Sequence, residues 1–185
     1  LYEEVKDYSE ELKNTLLHIE TLERVKGQLT KFVPSSVARL LEQNPDQLTN
    51  EKIAMNVTVL FIDIQGFSKI TEIYDQRLVN DMVECHFSSY LDCIKRHDGE
   101  VNETSGDGLM VIFKEGPIES HAKEAVSAGL EIVSENKRLN EELSYPWGRV
   151  DLHMGINSGE AFVGATKMKS LTGERWTYTA SGIVT

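Results

Sequence analysis

Two aspartates carry the clearest chemical potential in this chain. Asp63 closes the apolar run Thr58-Val59-Leu60-Phe61-Ile62 just before Gly66, and Asp107 stands between Gly106 and Gly108. Neither has a His or Cys close by in sequence. A pair of carboxylates without nitrogen or sulfur neighbours suits hard cations such as Mg²⁺ or Mn²⁺. Two such ions serve phosphoryl and nucleotidyl transfer. Aspartate is also a common turn former, so either residue alone could be only that. The chemistry requires the two to converge.

The surrounding pattern predicts that they do. Thr58 to Ile62 is β-rich and continuously apolar, the mark of a strand buried on both faces. After Gly66, apolar residues at Leu78, Met82, Val83, Phe87, Tyr90, Leu91 and Ile94 predict a helix ending near Gly99. Glu100 to Thr104, the turn Gly106-Asp107-Gly108 and Leu109 to Phe113 read as a hairpin. A second helix follows Pro117, with Ala122, Ala125, Val126, Gly129, Leu130 and Val133 on one face. Val150 to Ile156 and Ala161-Phe162-Val163 predict another hairpin around Asn157-Ser158-Gly159. The order βαββαβ is an α+β, ferredoxin-like arrangement. Its first strand neighbours the first hairpin, so Asp63 and Asp107 fall at the same end.

Ahead of this domain a heptad runs from Leu1 to Leu29. Val5, Leu12, Ile19 and Lys26 occupy a; Leu1, Tyr8, Thr15, Leu22 and Leu29 occupy d. This narrow seam predicts a parallel two-stranded coiled coil, with polar breaks at Thr15 and Lys26; the alternative is a helix packed on its own domain. Pro34 interrupts the pattern in Phe32-Val33-Pro34-Ser35-Ser36. A short helix through Val37, Leu40 and Leu41 ends near Asn44-Pro45, and Asp46 to Lys52 reads as a linker.

Bulk properties narrow the classes. The net charge of -11 over 185 residues, with no basic block, argues against nucleic-acid binding. An acidic protein can still take a polyphosphate when metal ions carry the positive charge. Two cysteines, Cys85 and Cys93, form no disulfide framework; both read as buried, inert thiols in a reducing, cytoplasmic setting. No apolar run approaches the ~20 residues that span a bilayer, so no membrane contact is expected of this chain. It opens at Leu1 rather than Met, which suggests a piece of a longer protein and leaves an upstream anchor open. The five histidines show no ligand spacing: His97 and His121 read as solvated and His153 as a sheet-surface residue, while Met110 and Met154 read as core.

Four segments resemble one family. Leu60-Phe61-Ile62-Asp63-Ile64-Gln65-Gly66-Phe67-Ser68 resembles the first metal motif of class III adenylate and guanylate cyclases, and Ser105 to Phe113 resembles the second. Met154-Gly155-Ile156-Asn157-Ser158-Gly159-Glu160 and Tyr178-Thr179-Ala180-Ser181-Gly182 follow in family order. Phe32-Val33-Pro34 is similar to the element joining a signalling helix to such a domain. The resemblance divides the chain into a coiled-coil signalling helix at 1–31, a transducer and linker at 32–52, and a nucleotide cyclase domain at 53–185.

The resemblance implies a metal-dependent cyclisation of ATP or GTP to the 3′,5′-cyclic nucleotide and pyrophosphate, in intracellular signalling. Asp63, the Ile64 carbonyl and Asp107 would hold two Mg²⁺ or Mn²⁺ ions. Backbone N–H groups of Gly66, Phe67 and Ser68 would cradle the terminal phosphates. Glu103 and Thr179 would contact the base. Family sites form between two chains, so a homodimer through the catalytic domain and the coil is implied. Glu103 falls where guanylate cyclases carry Glu and adenylate cyclases Lys. A carboxylate only accepts hydrogen bonds; guanine offers N1–H and an amino group, whereas adenine N1 is an acceptor. Thr179 can donate or accept and fits either base.

The chain departs from the family after Gly182. Ile183 stands where an acidic residue is usual, and the Asn and Arg that follow in the family would lie beyond Thr185. Little activity is expected of the chain as it stands. The competing reading is a catalytically inactive cyclase homologue acting as a dimeric nucleotide-binding or signalling module. A diguanylate cyclase would need a Gly-Gly-Asp/Glu-Glu-Phe hairpin, which this sequence lacks.

Overall fold

The apolar run around Leu60 belongs to a 12-residue strand, β1 (Ile53–Ile64), longer at both ends than its core of β-formers. The computed structural model describes residues 2–32, 37–38, 42, 52–170 and 173–182. The chain divides into two compact units, 1–48 and 49–185.

In the first unit, helix α1 (Tyr2–Leu29) has 28 residues, about 42 Å at 1.5 Å per residue. A 3₁₀ turn, Thr30–Phe32, follows it. The seam residues Tyr8, Leu12, Ile19, Leu22 and Leu29 are exposed, and so are Leu16, Leu17 and Val25. The apolar surface is therefore broader than the narrow seam predicted. The expected break at Phe32–Ser36 and the short helix at Val37–Leu41 lie largely outside the described residues.

In the second unit β1 is followed by α2 (Phe67–Ile73), α3 (Gln76–Arg96), β2 (Glu100–Ser105), β3 (Gly108–Phe113), α4 (Ile118–Glu142), β4 (Leu152–Ser170) and β5 (Gly173–Gly182). The sheet order is β2-β3-β1-β4-β5, and every neighbouring pair is antiparallel. The first four strands with α3 and α4 make the ferredoxin-like arrangement. Alternation along β1 sends Leu60, Ile62 and Ile64 into the main core with Val79, Met82, Tyr90 and Ile94 of α3 and Ala125, Ala128 and Ile132 of α4. Val57 and Val59 join Met110, Ile112, Ala161 and Val163 in a second cluster. Because the sheet curls, its end strands β2 and β5 come into contact.

Five expectations are corrected. The first long helical pattern is preceded by a separate short helix, α2; extended backbone at Tyr74 ends it, and Asp75 caps α3 by accepting the Arg77 N–H. The second hairpin does not turn at Asn157-Ser158-Gly159: these residues continue β4 and pair with Val59, Thr58 and Val57. Their turn chemistry is overridden by a 12-pair ladder with β1. The buried face of α4 is also rotated. Ala125 and Gly129 face inward as expected, but His121, Ala128, Ile132, Asn136 and Leu139 join them, and Val126, Leu130 and Val133 are exposed. His121 is buried because Thr58 Oγ1 lies 2.8 Å from its Nδ1, and a paired polar group can leave water at little cost. Lastly, Cys93 is buried as expected, whereas Cys85 is exposed.

Candidate active site

Strand β1 delivers Asp63 to its C-terminal end, where the residue pairs with Gly108 of β3 on one side and His153 of β4 on the other. Asp107 sits in the two-residue connection between β2 and β3, with Gly106 at φ 54°. The N–H of Ile64 donates to the Asp107 carbonyl at 3.1 Å, so strand end and hairpin tip are tied together. A side chain at Gly108 would begin 3.7 Å from Asp63 Oδ1, which places that carboxylate over the hairpin turn.

The chain then turns at Gly66, whose φ of 72° is left-handed and favours glycine. Gly66 is the N-cap of α2 and has no side-chain cap bond. The first helical bonds run from Lys69 and Ile70 N–H to the Gly66 carbonyl, at 3.0 and 3.3 Å. The N–H groups of Gly66, Phe67 and Ser68 precede them, as the leading amides of a helix do. Gln65 N–H donates to the Asp151 carbonyl at 2.9 Å, fixing the turn from the β4 side.

Burial lifts the Asp63 carboxyl above the ordinary carboxylate range; the charge of Asp107 and a hydrogen bond with it add to the shift, and His153 opposes it. Two carboxylates close enough to interact in this way form a hard-oxygen donor set with excess negative charge, which a divalent cation would relieve. Among the described residues no group of three or more His, Cys, Asp or Glu could hold a metal ion. The geometry brings together two carboxylates, and the Ile64 carbonyl joins them only as the resemblance implies. The rest of a six-oxygen shell is then left to water and phosphate, the usual habit of Mg²⁺. The residues fit the metal.

Glu103 stands on β2 opposite Met110, which pairs with Phe61, which pairs with Gly155. Directly opposed residues share a face, so Glu103 lies on the Asp63 face, two strands and two residues away. Strand spacings put that at roughly 12 Å. Between them lie Met110 of β3, buried in the second cluster, and Phe61 of β1, which is exposed. Thr179 is not grouped with them. It pairs with Gly164, its hydroxyl lies 3.4 Å from that of Thr166, and its neighbour Ala180 packs against the second cluster instead.

Two features at the site escaped the sequence. His153 is the cross-strand neighbour of Asp63; its alternation with Met154 hinted at a sheet surface but not at which row. The Asp151 carbonyl that holds Gln65 is a backbone group and leaves no mark on residue type.

Residues 49–179 match the family model "Adenylate and Guanylate cyclase catalytic domain". The terminal-differentiation-specific adenylate cyclase of Dictyostelium discoideum is 26% identical over 159 residues, 82% of this chain and 7% of that protein. The alpha-1 subunit of dog soluble guanylate cyclase is 29% identical over 145 residues, 76% of this chain and 20% of that protein. A bacterial light-regulated adenylyl cyclase superposes with a TM-score of 0.76 at 26% identity, covering 90% of this chain and 47% of that one. This chain thus spans a small part of the curated relatives it matches. The family model covers most of the second unit and both acidic turns, and the chain belongs to the adenylate and guanylate cyclase catalytic domain family.

Proposed function

We propose that the chain is the catalytic domain of a metal-dependent, homodimeric nucleotidyl cyclase that acts on ATP or GTP and leans toward GTP. The observation that carries this reading is the convergence of Asp63 and Asp107 beside the Gly66 turn, in a chain of the cyclase family.

Two Mg²⁺ or Mn²⁺ ions, when bound, would supply charge for activating a ribose hydroxyl and stabilising a pyrophosphate leaving group. Asp63 and Asp107 would hold them with the Ile64 carbonyl. The amides of Gly66, Phe67 and Ser68 would orient the terminal phosphates. Glu103 would accept hydrogen bonds from the base; Thr179, which stands apart from it here, is assigned no base contact. Asp63 and Glu103 occupy one face yet stand apart. A twofold-related copy set against that face would bring Asp63 toward Glu103 of the partner subunit and generate two equivalent sites. The exposed apolar residues of α1 support pairing through a coiled coil as well. Among the described residues no helix is long and apolar enough to cross a membrane, and the two free thiols fit a reducing compartment.

Calorimetric titration tests the reading. Nucleoside triphosphate should bind only with Mg²⁺ or Mn²⁺ present, and Asp63→Ala or Asp107→Ala should weaken binding. Unchanged binding in both variants would remove the two-metal assignment. Binding by the full-length protein without formation of cyclic nucleotide, with ATP and GTP each supplied alongside Mn²⁺, would favour the nucleotide-binding module instead.

A further inference from the structure

Val150 lies just ahead of β4, and side chains of α4 take both of its backbone polar groups. Its N–H donates to Asn140 Oδ1 at 2.7 Å, and its carbonyl accepts from Asn140 Nδ2 at 2.8 Å and Asn136 Nδ2 at 2.9 Å. Asparagine is a poor helix-interior residue because its amide competes for backbone groups. Two of them, one turn apart, here serve a segment outside the helix. Asn136 is buried and its orientation is fixed: its Oδ1 accepts the Tyr90 hydroxyl at 2.7 Å and lies 3.1 Å from His86 Nδ1. The amide nitrogen is left to face Val150.

The residues after Val150 are those that hold the candidate site from the β4 side. Asp151 accepts the Gln65 N–H, Leu152 pairs with Ile64, and His153 pairs with Asp63. We infer that Asn136 and Asn140 are positioning residues of this site, clamping Val150 so that the Asp151 carbonyl holds the Gln65–Gly66 turn in register with Asp63. The inference rests on the metal and phosphate reading given above. Groups that orient ligands from behind commonly change metal affinity or activity about 10–100-fold when removed. Small misplacements of binding groups are costly in the same way.

The test uses Asn140→Ala, since Asn140 is only half-buried and its loss leaves the His86–Tyr90–Asn136 network in place. Ile132→Val, a core change in the same helix, is the stability control. Hydrogen exchange of the Gln65 amide reads the clamp directly. It should rise at least about tenfold in Asn140→Ala while Leu60 and Ile62 amides keep their protection, and the control should leave Gln65 unchanged. Affinity for Mn²⁺ with 3′-deoxy-GTP, which cannot cyclise, should fall about 10–100-fold in Asn140→Ala and hold in the control. The inference is overturned if Gln65 exchange stays unchanged, if it rises only together with the β1 interior, or if affinity holds despite selective exchange. Should the unaltered chain bind no nucleotide with Mn²⁺, the metal reading falls, and exchange at Gln65 still decides the clamp.

Discussion

The Ile64 N–H donates to the carbonyl of Asp107 at 3.1 Å, so the turn that presents one acid is held by the strand that presents the other. That bond lies beyond the last β1–β3 pair, Asp63 with Gly108, and extends the ladder by one step into the turn. The two carboxylates cannot easily separate, because their backbones are joined on both sides of the pair. Mutual repulsion is thus built into the metal-free protein, and relief must come from a proton or a cation.

This gives a prediction about stability. Asp63 has a folded-state pKa raised above its ordinary value by partial desolvation of an otherwise exposed carboxyl and by Asp107. Its favourable contribution is present below the unfolded pKa and is lost as pH rises through the folded one, so at pH 7 the ionised group is a liability. Asp63→Asn should raise the metal-free melting temperature at pH 7 slightly, with a gain below about 1 kcal/mol because the group is solvent-exposed. It should also abolish stabilisation by Mn²⁺ with nucleotide. Thermal melts with and without the ligands check both; a lower metal-free melting temperature would show that Asp63 helps the fold.

Two buried histidines predict the opposite response in another pH range. Burial holds His86 below the ordinary imidazole range, against a hydrogen bond with Asn136, and it holds His121 below that range against Glu119. Tyr90 and Tyr145 are the rings set against His86. A lowered folded pKa means the unfolded chain binds more protons, so stability is complete above about pH 6.5 and is lost as pH falls below it. The loss should approach about 1.4 kcal/mol per pH unit for each histidine that stays neutral in the fold. Urea titrations from pH 7.5 to 5 measure it. His121→Gln should flatten part of the slope, and a slope unaltered by that change would assign the loss elsewhere.

The acids were legible in the sequence because strand-then-turn is a local pattern: an apolar run, an aspartate and a glycine suffice to place Asp63, and Gly106-Asp107-Gly108 suffices for the hairpin. Asp63 and Asp107 then meet because the βαββαβ order makes β1 and β3 neighbours. Polar residues with distant partners were not legible. His121 finds Thr58, 63 positions away, and Asn136 finds Tyr90, 46 positions away; residue type alone assigned His121 to solvent and missed the inward turn of Asn136. Val126, Leu130 and Val133 were misassigned for the complementary reason. Ala125, Ala128 and Gly129 are small enough to bring α4 close to the sheet, and close approach favours their face over the more apolar one. At Asn157-Ser158-Gly159 local turn chemistry lost to ladder pairing, and Ser158 Oγ lies 2.6 Å from Thr58 Oγ1 within that ladder.

Exposure along α1 makes self-association testable. Leu12 and Ile19 stand at successive a positions and are 62% and 45% exposed in the single chain, so an unpaired helix would leave them in water. A parallel two-stranded coil would bury both at its seam. Replacing both with Asp should shift the protein toward monomer in sedimentation equilibrium and lower its helix signal, since a lone helix of this polarity is marginal. An unchanged mass would mean that α1 does not pair in this way.

The last prediction concerns the base. Glu103 shares a sheet face with Asp63 and stands roughly 12 Å from it by strand spacing, so in a twofold pair the base of a nucleotide held at Asp63 would meet Glu103 of the partner subunit. A carboxylate facing guanine accepts from N1–H and from the amino group, two charge-assisted bonds. Facing adenine it meets the N1 acceptor, and buried groups left unpaired cost about 1–3 kcal/mol. That amounts to roughly five- to 150-fold in kcat/KM in favour of GTP, at ~1.4 kcal/mol per factor of ten. Thr179 adds no opposing bias, because a hydroxyl can turn to donate or accept. The full-length protein should therefore prefer GTP, and Glu103→Lys should move the preference toward ATP, since an ammonium can donate to adenine N1. Parallel assays with the two nucleotides and Mn²⁺ measure the ratio in each variant. Equal kcat/KM values that Glu103→Lys does not shift would mean Glu103 is a solvated strand residue, with the base read elsewhere.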